Sequence, residues 1–376
     1  MIYLDNSATT YPKPQQVINA VTESFSKYGA NPGRSGHSFS VKSALKVFEV
    51  REKLANMFNA KPENVIFTSG CTEALNLAIL GSKIQGGHVI ATACDHNSTL
   101  RPLYHLKEQG IIELDIVAPK SNDKLRLSDV LPFVKPNTYL ICTTHISNVD
   151  GMETMINEIG KFCFEHCIMF LVDAAQSAGH KKINIETSHI DFLAIAGHKG
   201  LYGPMGVGAL ILSDKAKLLP IKFGGTGTDS INIIQPSSVP EGFESGTIAL
   251  PNIIGLGAGI DFVRQNFGKI NQKIEDLCTY LNYELNQING VRVFTHPDND
   301  FGVLSFNVKN LPSTEVSERL DKEFGILTRS GLHCAPLKHL SLGTIEQGTV
   351  RASLSAFTKF SHVNSLVKSV KKILRS

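Results

Sequence analysis

Lys199 is the first residue of the chain whose position suggests chemistry. It lies in residues 196–200 (AGHKG), directly after an apolar run that is typical of a buried strand. A poorly solvated lysine tends to have a lowered pKa, because desolvation disfavours the charged form, and the neutral amine is a nucleophile. A solvated lysine in a glycine-rich loop is the alternative. The local sequence leaves both interpretations open.

Residues 67–74 (FTSGCTEA) combine the end of a strand, a glycine and a hydroxyl in front of a helical stretch rich in Ala and Leu. The first backbone N–H groups of a helix lack partners, so they can bind an anion such as phosphate. Gly70 would permit close approach, and Thr72 would add a hydroxyl donor. A capped helix without a ligand is the competing interpretation.

Asp173 ends the apolar run 168–172 (IMFLV), so its carboxylate is expected at the carboxyl end of a strand. Ligands of open α/β sheets bind at that edge. A carboxylate there could pair with a protonated ring nitrogen. An aspartate that only caps the next helix is the alternative.

Cys334 lies in residues 329–336 (RSGLHCAP), beside His333 and near Arg329. Positive neighbours favour a thiolate, although a single cysteine is often only a small buried apolar residue. Cys71, next to the predicted phosphate turn, is the rival reactive thiol. Residues 163–167 (CFEHC) run straight into an apolar strand and lack a fourth ligand, so we expect no metal site.

Repeated alternation of apolar strands and helical patterns must position these residues. The pattern predicts a helix near residues 47–58 and a mostly parallel sheet covered by helices, which is an α/β fold. Strands are predicted at residues 64–67, 88–92, 112–117, 139–144, 168–173, 192–195 and 206–212.

The chain changes character near Pro251, where a long helical stretch runs to about residue 289. Strands at 291–294 and 302–308 and a final helix then indicate a smaller α+β domain. We therefore expect an N-terminal arm (1–14), a large domain (15–250), and a helical linker with a small domain (251–376) that carries the Cys334 loop.

Composition excludes several classes of function. The 37 basic and 34 acidic residues leave a net charge of +3 without a basic stripe, so we expect neither nucleic-acid nor membrane binding. The sequence begins without a leader pattern, and we expect a cytoplasmic protein. Its seven cysteines lack the spacing of a disulfide framework, so most should be reduced thiols.

The motifs together resemble the class V aminotransferase family of fold-type I enzymes that use pyridoxal 5′-phosphate (PLP). The resemblance is greatest to the cysteine desulfurases and selenocysteine lyases of its second group, and it covers nearly the whole chain. The matching segments, in the family's order, are residues 3–10, 33–37, 72–74, 95–96, 144–148, 173–176, 197–199, 243–247, 333–335 and 350–354.

The resemblance implies a role for each motif residue around the cofactor. Lys199 would bond covalently to PLP, His96 would stack on its ring and take part in catalysis, and Asp173 would pair with the ring nitrogen. The residues implied to hold the ring oxygen or the phosphate are Asn148, Gln176, Cys71, Thr72, His198 and, from the second subunit of a homodimer, Thr247. Two departures are Cys71, where a threonine is usual, and Ala196, where many relatives carry a serine.

The substrate residues also follow from the resemblance. Arg351 would bind the substrate carboxylate, with Asn148, Arg329 and Arg34 nearby, and Cys334 would be the nucleophile. The implied reaction converts L-cysteine to L-alanine and leaves a persulfide on Cys334, which a protein sulfur acceptor, as in iron–sulfur cluster assembly, would then take.

Other functions remain open at this stage. L-Selenocysteine could be the substrate, since the same residues serve both chemistries, and another class V activity is a further alternative. A protein of this fold that has lost turnover and acts only as a partner in sulfur transfer is the alternative of a different class.

Overall fold

The structure is a computed structural model, and it describes residues 1–33, 36–120, 124–228, 231–295 and 299–375. The strands in this part of the chain are β1 (Ile2–Tyr3), β2 (Val65–Thr68), β3 (Gly87–Thr92), β4 (Ile112–Val117), β5 (Thr138–Thr144), β6 (Met169–Asp173), β7 (Phe192–Ala196), β8 (Gly208–Leu212), β9 (Val291–Val293), β10 (Val303–Val308), β11 (Ile326–Leu327) and β12 (Val350–Ser353).

Helices alternate with most of these strands. They are α1 (Gln15–Lys27), α2 (Ser38–Phe58), α3 (Cys71–Gly81), α4 (Asn97–Glu108), α5 (Leu127–Val130), α6 (Ile156–Glu165), α7 (Leu250–Asn286), α8 (Ser313–Phe324), α9 (Pro336–Leu342) and α10 (Phe360–Ile373).

A seven-stranded sheet forms the centre of the larger part of the molecule, in the order β2-β8-β7-β6-β5-β3-β4. Strands β3 to β7 are mutually parallel, whereas β8 runs antiparallel to both β7 and β2. The strands are apolar on both faces because helices cover both sides of the sheet. Because β3 to β7 are parallel, their carboxyl ends share one edge of the sheet, and the candidate site lies at this edge.

Helix α7 joins two apolar cores. Its first turns, with Ile254 and Ile260, pack into the core of the large sheet, whereas Ile274 and Leu281 pack into a second core. The second core covers a three-stranded antiparallel sheet in the order β12-β10-β9.

The N-terminal residues pack against this smaller unit. Strand β1 pairs in parallel with β11, and the Leu4 side chain lies in the second core. Asp5 continues the pairing as a bridge to Ser353. The first residues of the chain are thus anchored beside β12, where they meet Arg351.

The predicted α/β fold class is confirmed. Each predicted strand of the large sheet is present within a few residues, and the helix predicted near 47–58 is the second half of α2. The predicted stretch from 251 to 289 is α7, whereas none of the short strands β1, β11 and β12 is predicted from the sequence. The domain boundaries at 14 and 250 stay predictions. In the described ranges, no helix has the length and apolar character needed to cross a bilayer.

Candidate active site

A cavity of about 280 Å³ opens at the carboxyl edge of the large sheet. It collects side chains from the ends of four parallel strands, because each chain segment turns into a loop or helix at this edge. Of the residues predicted for the site, those that line it are Cys71, Thr72, His96, Asn148, Asp173, Gln176, His198 and Lys199. Residues from five separate motifs therefore meet in one cavity.

Lys199 follows the end of β7 by three residues and lies in the cavity wall. Burial lowers the pKa of its ammonium group, and the charges of Arg351 and Arg329 lower it further, whereas Asp173 and Cys71 oppose the shift. The lowered pKa increases the fraction of neutral amine at neutral pH. The direction of this shift is the one that favours a nucleophilic lysine.

Asp173 ends β6, and its side chain is buried. Its Oδ1 atom accepts the backbone N–H of Ala175 at 2.8 Å and the thiol of Cys71 at 3.3 Å. Both bonds hold the carboxylate in place. A fixed negative charge at the bottom of the cavity can pair with a protonated ring nitrogen.

The start of α3 forms the phosphate turn that the sequence predicts. Its N-cap residue Gly70 makes no side-chain hydrogen bond, and the first helical bond is from the Ala74 N–H to the Gly70 carbonyl. The Thr72 hydroxyl lies 2.8 Å from that of Ser98. The Glu73 carboxylate accepts the Ser69 N–H at 2.6 Å, which leaves the backbone N–H groups of residues 70–73 available to an anion.

His198 faces the same end of the cavity, and its buried Nδ1 atom has no hydrogen-bond partner. Burial lowers the pKa of the imidazole to about 4, with additional effects from Lys199 and Lys13. The ring is therefore neutral at pH 7 and can donate one hydrogen bond. An unpaired buried nitrogen beside a helix N-terminus fits a bound phosphate.

His96 is the N-cap residue of α4, and its Nδ1 accepts the Ser98 N–H at 3.0 Å. Burial lowers the pKa of His96 to about 4, so the ring is neutral. The preceding Asp95 is buried and accepts the N–H and hydroxyl of Thr92 at 2.7 and 3.0 Å. These bonds fix the ring of His96 as one wall of the cavity.

Cys334 lies beside the cavity without belonging to its lining. Nη2 of Arg329 donates to its Sγ at 3.5 Å, and the Asn97 N–H donates to its carbonyl at 2.8 Å. Nδ2 of Asn148 donates to the adjoining His333 carbonyl at 2.7 Å. Because Asn97 follows His96 and Asn148 lines the cavity, these bonds hold the thiol at the entrance of the site.

Arg351 is fully buried on β12. Its Nη2 donates to Oδ1 of Asp5 at 2.8 Å, its Nη1 donates to the Asn148 carbonyl at 3.1 Å, and its Nε has no partner. A substrate carboxylate at Arg351 would therefore share the guanidinium with Asp5. Asp5 lies in the motif at residues 3–10, but the sequence alone indicates no role for it.

One residue predicted for the phosphate lies away from the cavity. Thr247 is exposed and outside the cavity lining of its own chain, and its hydroxyl accepts Nδ2 of Asn31 at 3.5 Å. Arg34 falls outside the described residues. Gln176 lines the cavity and donates to the Ser7 carbonyl at 3.1 Å.

Sequence reasoning missed Lys13, whose side chain binds the backbone of the loop that carries Lys199. Its Nζ donates to the His198 carbonyl and to the Thr10 hydroxyl, both at 2.8 Å, and the Thr10 N–H reaches the same carbonyl at 3.1 Å. Burial lowers the pKa of Lys13 to about 8. The N-terminal arm thus fixes the peptide unit next to Lys199, a contact that local patterns could not indicate.

Comparison with known proteins agrees with this geometry. The sequence model of the family described as aminotransferase class V matches residues 2–366. A probable cysteine desulfurase of Methanothermobacter thermautotrophicus is 35% identical over 99% of this chain and 94% of the relative, and one of Pyrococcus abyssi is 33% identical over 100% and 95%. The apo structure of a cysteine desulfurase from Thermococcus onnurineus superposes with a TM-score of 0.93 at 32% identity, covering 100% of this chain and 94% of the other.

Proposed function

Since the chain belongs to the aminotransferase class V family, we propose that its cavity is a cysteine desulfurase site in which Lys199 holds PLP and Cys334 takes the sulfur. The protein is an enzyme, and its activity is the PLP-dependent conversion of L-cysteine to L-alanine. The observation that carries the residue assignment is the single cavity that unites Lys199 and Asp173 with the uncapped start of α3.

The residues present fit the cofactor. The unpaired Nδ1 of His198 and the free N–H groups before Ala74 suit the phosphate, and the buried carboxylate of Asp173 suits the ring nitrogen. Thr72 would add a hydroxyl to the phosphate, His96 would cover one ring face, and Asn148 and Gln176 would meet the ring oxygen. When bound, PLP withdraws electrons from the substrate and makes its Cα proton acidic.

Lys199 would act as the proton carrier once substrate has taken its place. Burial lowers the pKa of Lys199, which favours the neutral amine, and a neutral Nζ can accept the Cα proton and later return a proton to the product. Arg351 would bind the substrate carboxylate, a role that fits its position behind Asn148. Arg329 would lie near the bound substrate as well, because its guanidinium contacts Cys334.

Cys334 would attack the substrate sulfur as a thiolate, with its Sγ oriented by the hydrogen bond from Nη2 of Arg329 at 3.5 Å. An S–S bond forms while the Cβ–S bond of the substrate breaks, and the electron pair of that bond stays on the carbon skeleton. Protonation then releases alanine. The persulfide on Cys334 passes its terminal sulfur to a protein acceptor or to a reducing thiol.

We also infer a homodimer. The exposure of Thr247 and its distance from the cavity of its own chain support a role for this hydroxyl at the phosphate of a second copy. Sedimentation at micromolar concentration should show a dimer, and a fully active monomer would contradict this inference. A cytoplasmic location is supported by seven unpaired cysteines, since a reactive thiol persists where thiols stay reduced.

One incubation tests the proposed function. Purified protein loaded with PLP and given L-cysteine with a reducing thiol should release sulfide and alanine in equal amounts. A protein that carries the cofactor and produces no sulfide would exclude the proposal.

A further inference from the structure

A buried ion pair lies next to the Cys334 loop, and it takes no part in the reaction proposed for the site. Nζ of Lys338, on α9, lies 2.7 Å from Oδ2 of Asp150, and the two side chains are 5% and 6% exposed. The neighbouring Cys94 is buried, and its pKa is raised to about 12 by burial, so its thiol is neutral. Asp150 is therefore the counter-charge of Lys338, and each would be a costly isolated charge without the other.

The pair joins two segments that carry the site. Lys338 follows Cys334 by four residues, in the first turn of α9. Asp150 lies in a turn closed by the bond from the Gly151 N–H to the Ser147 carbonyl at 3.1 Å. The same turn contains Asn148, whose side chain binds the His333 carbonyl at 2.7 Å. One short turn thus binds the loop on both sides of Cys334, at His333 through Asn148 and at Lys338 through Asp150.

The backbone of the loop explains why it must be held. His333 and Cys334 have φ angles of 49° and 59°, in the left-handed region that favours glycine. Two consecutive non-glycine residues in this region are strained, and they persist only where surrounding contacts stabilise them. The contacts around these two residues include the ion pair, the bonds from the Asn148 side chain and the Asn97 N–H, and the 3.0 Å bond between Nε2 of His333 and the Thr349 hydroxyl.

We propose that Lys338 and Asp150 are positioning residues for Cys334. Their buried pair holds α9 against the large domain, which keeps the loop in its left-handed conformation and Sγ beside Arg329. This inference rests on the proposed function of Cys334. It predicts that breaking the pair impairs sulfur capture while cofactor binding and substrate binding remain.

The principal variant is Lys338→Met, which keeps the length of the side chain and removes its charge. Sulfide release from L-cysteine should fall about tenfold or more in kcat with little change in KM, because a misplaced nucleophile slows the reaction step. PLP affinity and the absorbance change on adding cysteine should match those of the wild type. The rate at which iodoacetamide alkylates Cys334 in the cofactor-free protein should also differ from that of the wild type. Lys338→Arg should restore most of the sulfide release and most of the wild-type alkylation rate.

The control is Val363→Ala, which removes buried volume from the second core away from the loop. It should lower Tm and leave the alkylation rate of Cys334 unchanged. Where Lys338→Met fails to fold, Asp150→Asn decides with the same two measurements, since the amide keeps the shape and loses the charge. A folded variant with wild-type sulfide release and alkylation overturns the positioning role, whereas an inactive wild type would instead overturn the proposed function.

Discussion

The thiol of Cys71 donates to Oδ1 of Asp173 at 3.3 Å, so a cysteine at the start of α3 supports the carboxylate expected to bind the ring nitrogen of PLP. Burial raises the pKa of Cys71 well above its usual range, and Asp173 raises it further, which keeps the thiol protonated as a donor. Cys71 is therefore suited to tuning the cofactor site and poorly suited to being the sulfur acceptor.

Replacing Cys71 by Ala should weaken PLP binding by roughly twofold to tenfold, which corresponds to the net value of one hydrogen bond. Cys71→Ser should bind PLP at least as tightly as the wild type, because a hydroxyl is the better donor. Absorbance titration of cofactor-free protein with PLP measures both. Cys278→Ala, in the second core, is the matched control and should bind normally. Equal affinity of Cys71→Ala and wild type would show that the bond contributes nothing.

Replacing Cys334 by Ala tests the sulfur acceptor. The variant should keep the absorbance of the bound cofactor and its change on adding cysteine, because the cavity lining is intact, yet steady sulfide release should collapse. Wild-type protein given cysteine without reductant should gain one sulfur on the peptide that contains Cys334. Mass spectrometry that places this sulfur on Cys71, or a Cys334→Ala variant with wild-type turnover, would contradict the assignment.

Arg329 should stabilise the Cys334 thiolate through its contact at 3.5 Å. Arg329→Met is expected to slow alkylation of Cys334 by iodoacetamide at pH 7 about tenfold, since a hydrogen bond to a charged group contributes roughly 1.5 kcal/mol or more. Arg329→Lys should lie between the two. The exposed Arg264, changed to Met, should have no effect. A pH profile of alkylation identical in Arg329→Met and wild type would remove this role.

Stability should fall in mild acid because of two histidines behind the Cys334 loop. Burial lowers the pKa of His333 to about 2 and that of His339 to about 4, from ordinary values near 6.5. As the pH falls below about 6.5, these two histidines become protonated in the unfolded chain but stay neutral in the folded protein. Each ring therefore lowers the free energy of unfolding by up to about 1.4 kcal/mol per pH unit until its folded pKa is reached.

Urea denaturation at several pH values between 7 and 4 measures this slope. Carboxylates add to it, so the informative quantity is the difference between variants. His339→Gln should reduce the slope between pH 6.5 and 4, whereas His105→Gln, at an exposed position, should not. An unchanged slope in His339→Gln would mean that this ring is protonated in the folded protein.

Local sequence predicted those parts of the site that depend on short segments. Apolar runs located β6 and β7, and from them the positions of Asp173 and Lys199 at one sheet edge. It could not predict the bond between Asp5 and Arg351, because its partners lie 346 residues apart and β1 is only two residues long. Periodicity has no information about such pairs, which depend on how the completed fold brings distant segments together.

The contact between β1 and β11 also constrains the order in which the chain folds during synthesis. Strand β11 is translated about 320 residues after β1, which at roughly 5 to 20 residues per second means a delay of tens of seconds. Throughout this time the large domain can form its sheet and cavity, while Asp5 has no guanidinium to bind. The contact between Asp5 and Arg351 therefore forms only after the strands of the large sheet have been made, and a nascent chain can hold a nearly complete cofactor pocket before it can hold a substrate.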